Sequence, residues 1–191
     1  MSYIGTYYAI GSAWLFTTLN YFLIGFFNGH IDHFYLESFK AYVAIVVVFS
    51  IAGNISLAIM RSRASPANIF ENLWHNFKWV PLLSIFLGGL SLHVSQALLC
   101  HFFSIDMQWE STTKETKRVR FGEAMKHVLR RFYCTFVFCA SMTAAMVVCA
   151  YVIPEDWQIR LLTAIWPMGA IVVTHALLPI VLNPELMRFS W

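Results

Sequence analysis

The sequence predicts an all-α membrane protein with about five transmembrane helices and amphipathic helices at the interface. Three observations carry that reading. Of 191 residues, 59% are hydrophobic and 12% are charged, whereas a soluble domain carries about 25% charged residues. The charges also avoid five apolar runs: residues 7–27, 41–60, 80–103, 132–153 and 161–182 contain no Lys, Arg, Asp or Glu. Each run is long enough to cross a ~30 Å hydrocarbon core, which takes about 20 helical residues. Finally, the runs do not alternate polar and apolar residues, as the strands of a membrane β-barrel would.

A lipid-embedded segment must bond its own backbone groups, so each run is expected to be a helix. Breakers mark the connections. Asn28-Gly29 follows the first run and Ser65-Pro66 follows the second. Pro154 closes the fourth, and Asn183-Pro184 follows the fifth. Pro167 and Pro179 lie inside the fifth, where a kink is tolerated because neighbouring helices re-satisfy the freed carbonyls. Trp79, Tyr151 and Trp157 fall near run ends, as an aromatic belt requires. The whole of 1–191 reads as one transmembrane domain without internal repeats.

Two connections carry amphipathic patterns. In the second, Ser65 is expected to cap a helix with Pro66 at its first position. Ile69, Phe70, Leu73, Trp74 and Phe77 then share an apolar face suited to the interface. In the third, Phe121, Ala124, Met125, Val128, Leu129 and Phe132 recur at helical spacing. Arg120, Glu123, Lys126, His127, Arg130 and Arg131 take the other side, which describes a basic helix lying on a leaflet.

Seven of the thirteen basic residues lie between Lys114 and Arg131. Counted over the connections, nine basic residues fall on the side of residues 104–131 and four on the N-terminal side. The positive-inside rule therefore predicts a non-cytosolic N-terminus and a cytosolic C-terminus. A local basic patch of this kind is no nucleic-acid signature, which would need a basic face. The lipid bilayer is the expected partner. Cys100, Cys134, Cys139 and Cys149 lie in or at the ends of apolar runs and form no C-x-x-C pair, so they are expected to be free thiols. His30, Asp32 and His33 lack the further ligands zinc requires and are expected to form a polar loop; no metal is expected.

Two groups of residues are candidates for function. The polar residues at membrane depth are Trp14, Asn20, Asn54, His93, Gln96 and His175. Such residues either hydrogen-bond neighbouring helices or line a wet path or channel. Gly88-Gly89 and Ala140-x-x-x-Ala144 are expected to be close-packing sites. The second group is residues 104–115, where Trp109, hydroxyls, Lys114 and carboxylates leave the third run together. Their chemistry fits a solvated loop with an interfacial Trp. A loop of this kind can also stack a ring on a ligand and pair a Lys with phosphate.

Several stretches together resemble the C-terminal membrane region of fungal glycosyltransferase family 2 proteins, relatives of the cellulose, chitin and hyaluronan synthases. They are residues 7–14, Glu71-Asn72 with Phe77-Lys78-Trp79, residues 86–99, residues 109–115, Ala164-Ile165-Trp166-Pro167 and Leu182-Asn183-Pro184. The resemblance implies a cytosolic gating loop, whose motif in bacterial cellulose synthase reads F-x-V-T-x-K. Trp109 then stands for the aromatic, Thr112 for the Thr and Lys114 for the Lys. Ser111 replaces the Val, and Glu110 stands where fungal relatives often have Gly, adding a negative charge. In that role Thr112 and Lys114 would contact a nucleotide diphosphate, and Trp109 would pack over the acceptor. The order of three spans, loop and two spans, with the C-terminus inside, matches the arrangement the family implies.

The family's metal and donor carboxylates, its catalytic base and its Q-x-x-R-W motif do not occur in this sequence. The expectation is therefore a portion without the catalytic domain, with no catalytic residue and no cofactor of its own. A divalent metal would belong to that domain, as would contact with nucleotide sugar and glycan. The alternatives are a small non-enzymatic membrane protein serving as an assembly subunit or scaffold, or a small-solute channel. Inverted repeats would favour a channel or transporter, and none occurs.

Overall fold

A computed structural model describes residues 2–64, 68–106 and 121–181. The described residues are helical and contain no strand. Five stretches are long and apolar enough to cross a membrane: Ile4–Phe27, Phe39–Ala64, Ile69–Phe102, Tyr133–Tyr151 and Leu162–Val181. Large apolar side chains such as Phe16, Phe49, Leu87 and Val147 remain exposed along them. In water that surface would be an aggregation hazard; against lipid tails it carries no such cost. The fold is that of a multi-pass integral membrane protein.

The chain divides into two units, Met1–Phe26 with Ile85–Trp191 and Phe27–Ser84. Helix α1 spans Ser2–Val47. The turn expected at Asn28-Gly29 is absent, because the backbone there stays helical. One glycine costs a helix about 1 kcal/mol relative to Ala, and no proline lies nearby to stop it.

In the unit Phe27–Ser84, a π-helical turn at Val48–Ala52 leads into α2 (Gly53–Ala64). The wider turn sends the Gly53 N–H to the Val48 carbonyl. The Ser50 carbonyl is taken instead by the side chain of Asn54, at 2.7 Å. Helix α3 (Ile69–Phe77) packs against α2. Its cap is Asn68, whose side chain accepts from the Phe70 N–H at 3.4 Å. Ser65 and Pro66, the expected cap, lie outside the described residues. Phe70 and Trp74 are exposed, as an interfacial face should be.

The larger unit includes the end of α4 (Val80–Gly89) and all of α5 (Ser91–Phe102), which together make the third run with a break at Leu90. Helices α6 (Phe121–Arg131), α7 (Tyr133–Tyr151) and α8 (Leu162–Val181) complete it. Helix α8 continues through Pro167 and Pro179. Tyr21, Ile24, Met142, Cys149, Ile159, Met168 and Leu178 form its core. The α7–α8 connection is tied back onto α7: the Ile159 N–H donates to Cys149 O at 2.9 Å and Arg160 Nε to Ala150 O at 3.2 Å. These bonds satisfy carbonyls that a helix C-terminus leaves open. Tyr151 and Trp157 are exposed at this end, as expected of an aromatic belt.

Candidate functional site

The break at Leu90 organises the polar residues of the larger unit. Gly88 and Gly89 lie against α8. A Cβ on Gly89 would stand 2.7 Å from both Leu178 Cβ and the Thr174 carbonyl oxygen, and one on Gly88 would stand 2.9 Å from the Thr174 side chain. Only glycine permits this approach, so the expected close-packing role of the pair is met by α8.

A break leaves the first N–H groups of the next helix without intrahelical acceptors. Leu90 has no side chain to supply one, and α8 does so. Nε2 of His175 accepts from the Leu92 N–H at 3.3 Å and lies 2.9 Å from Ser91 Oγ. Nδ1 of the same ring lies 2.8 Å from Ile171 O. A backbone carbonyl can only accept and a backbone N–H can only donate. The ring is therefore the Nδ1–H tautomer, and the Ser91 hydroxyl donates to Nε2. His175 is 0% exposed, and every polar atom of its ring is bonded. It is a capping group delivered from another helix.

Ser91 and His175 also have the spacing of a nucleophile and its base. Ser91 is 3% exposed and Nε2 already accepts a backbone N–H, so no substrate reaches the hydroxyl.

A seam of rings and hydroxyls continues from this point. The Phe138 ring lies 6.1 Å from His175 and 5.5 Å from Trp14, edge-on to the latter. Trp14 Nε1 donates to Ser95 Oγ at 2.9 Å, and Ser95 Oγ donates to Gly11 O. Thr18 Oγ1 donates to Trp14 O at 2.7 Å. The seam thus joins α1, α5, α7 and α8.

The sequence candidates are distributed as follows. Trp14 and His175 belong to the seam. His93 is half-buried in the same unit, edge-on to Phe132 at 5.3 Å, and its Nε2 is buried without a hydrogen-bond partner among the described residues. Gln96, three residues on, is exposed, and Asn20 is half-buried. Asn54 lies in the other unit, bonded to its own helix. Trp109, Thr112 and Lys114 lie outside the described residues, as do the side chains of His30, Asp32 and His33. Among the described residues no cluster of His, Cys, Asp or Glu could hold a metal. The four cysteines are free, with Cys139 and Cys149 buried.

Sequence reasoning missed Ser91 and Ser95. A serine two residues after Gly88-Gly89 in an apolar run was the available signal for Ser91. It also missed a cluster in the smaller unit. Asn76, buried on α3, accepts from Arg61 Nη1 at 2.9 Å and donates to Asn54 O at 3.3 Å, which latches α3 onto α2.

No family model, curated protein or solved structure matches the chain.

Proposed function

We propose that the chain is the membrane-embedded, gating-loop part of a family 2 glycosyltransferase that extends or exports a cell-surface glycan. It works with a cytosolic catalytic domain that supplies the donor chemistry and its divalent metal. In this reading residues 104–131 and the C-terminus face the cytosol, Thr112 and Lys114 contact the nucleotide diphosphate, and Trp109 packs over the acceptor. The observation that carries it is the Trp109–Lys114 motif in its place along the chain. It follows the end of α5 and precedes an amphipathic helix that leads directly into α7. A gating loop needs such flanks, since a short swing must reach the active site from a fixed membrane edge.

The test is polymer synthesis in membranes that contain the chain together with its catalytic domain, supplied with radiolabelled nucleotide sugars. Lys114→Ala is expected to lower incorporation at least tenfold, while the amount of membrane-inserted protein stays unchanged. Equal incorporation would refute the gating role.

One observation favours a second reading, a non-enzymatic assembly subunit. The polar groups of the seam bond one another and neighbouring helices, which is what a rigid scaffold needs. Cysteine labelling at Ser111 separates the two: the synthase reading requires protection by a nucleoside diphosphate.

A further inference from the structure

We propose that α6 is a docking surface for acidic phospholipid headgroups. The inference rests on α7 being a membrane span and not on the glycosyltransferase reading.

The packing of α6 fixes which face is free. The helix contacts α7 and α8, with Val128 buried and Met125 half-buried. Lys126, His127 and Arg130 are exposed. Lys126 and Arg130 are four residues apart, so their side chains rise from one face as neighbours. Among the carboxylates whose side chains are described, none pairs with either.

The position of this pair selects the partner. A single residue, Phe132, separates α6 from α7, and Arg130 lies three residues before Tyr133, the first residue of the span. At about 1.5 Å per helical residue Arg130 stands about 5 Å and Lys126 about 10 Å along the chain from that residue, which keeps both long side chains within reach of the headgroup layer. Leu129 and Tyr133 are exposed at the same place, offering one aliphatic and one amphipathic ring to the boundary. A phosphate on a lipid meets both features at once. An acidic peptide or a free phosphate would meet the charges but leave Leu129 and Tyr133 in water. A zwitterionic headgroup carries a cation that offsets the attraction.

The experiment titrates the detergent-purified full chain with phosphatidylserine, and separately with phosphatidylcholine of the same acyl length. Native mass spectrometry reads the ratio of lipid-bound to free protein. Each basic residue beside acidic lipid strengthens attachment about fivefold. Phosphatidylserine is therefore expected to bind more tightly than phosphatidylcholine. The double variant Lys126→Gln/Arg130→Gln is expected to bind phosphatidylserine about 30-fold more weakly, with its phosphatidylcholine affinity unchanged. The unchanged value also shows that the variant remains folded. Arg160→Gln, which removes a basic residue at the α7–α8 connection, is expected to leave both affinities as they were. Equal affinity of the parent protein for the two lipids would overturn the proposal. So would an equal loss in Arg160→Gln, because net charge rather than α6 would then be what the lipid reads.

Discussion

Replacing His175 by Leu isolates the capping role of this residue. Leu fills similar space but removes the acceptor of two donors, the Leu92 N–H and the Ser91 hydroxyl. A buried donor left without a partner costs about 1–3 kcal/mol. In membranes the measured worth of a side-chain hydrogen bond between helices is smaller, about 0.6 kcal/mol on average, because the unfolded state finds other partners. The two donors differ in this respect. Ser91 can turn its hydroxyl to a carbonyl of its own helix, so its loss follows the smaller figure. The Leu92 N–H recovers an acceptor only if the break at Leu90 closes, which Gly88 and Gly89 against α8 resist. His175→Leu is therefore expected to cost about 2 kcal/mol, and Ser91→Ala about 0.6 kcal/mol. The double variant should be no less stable than His175→Leu alone, because the hydroxyl has nothing left to bond. Equilibrium unfolding in mixed micelles measures the cycle, and hydrogen exchange at Leu92 reports the cap directly. An unaltered Leu92 protection factor in His175→Leu would refute the argument.

Three further outcomes follow from the packing. Gly89→Ala should destabilise by about 1–3 kcal/mol in the same unfolding assay, since its Cβ meets the Thr174 carbonyl and the Leu178 Cβ. Gly122→Ala, with nothing within 4 Å of the added Cβ, should be neutral or stabilise α6 by up to about 1 kcal/mol. Asn76→Ala removes both bonds that latch α3 to α2 and should cost about 1–3 kcal/mol. Limited proteolysis between the two helices reads that loss as faster cleavage.

The membrane spans were legible in the sequence because hydropathy and length decide them directly, and their edges moved by only a few residues except at the third. There the apolar pattern is continuous from residue 80 to 103, and Gly88-Gly89, which reads equally well as a packing site, is a weak local sign of the break at Leu90. The break depends on His175, 83 residues beyond Leu92, whose acceptor makes it tolerable. Long-range pairs of this kind leave no periodic trace. The opposite error occurred at Asn28-Gly29, where a turn signal is read through by the helix. Trp14 and His175 were legible as polar residues at membrane depth, but their partners were not. Trp14 finds Ser95 and His175 finds Ser91, both serines that composition alone treats as ordinary.

His93 is the exception to this pairing, and it is the sharper test of where function resides in the larger unit. Both histidines lie in spans, yet one bonds through both nitrogens and the other keeps a buried Nε2 with no partner among the described residues. An unpaired buried nitrogen is unfavourable whichever way it is protonated. Its ring stands edge-on to Phe132, where α6 meets α7, a contact that an aromatic ring of similar size can reproduce. His93→Phe should therefore raise stability, by up to about 1–3 kcal/mol, in contrast to the loss expected for His175→Leu. On the proposed glycosyltransferase reading, a task for this nitrogen at the junction would make the same variant lower glycan synthesis while unfolding at higher denaturant. A His93→Phe protein less stable than its parent would mean that Nε2 is bonded in the folded membrane protein, and the contrast between the two histidines would fall.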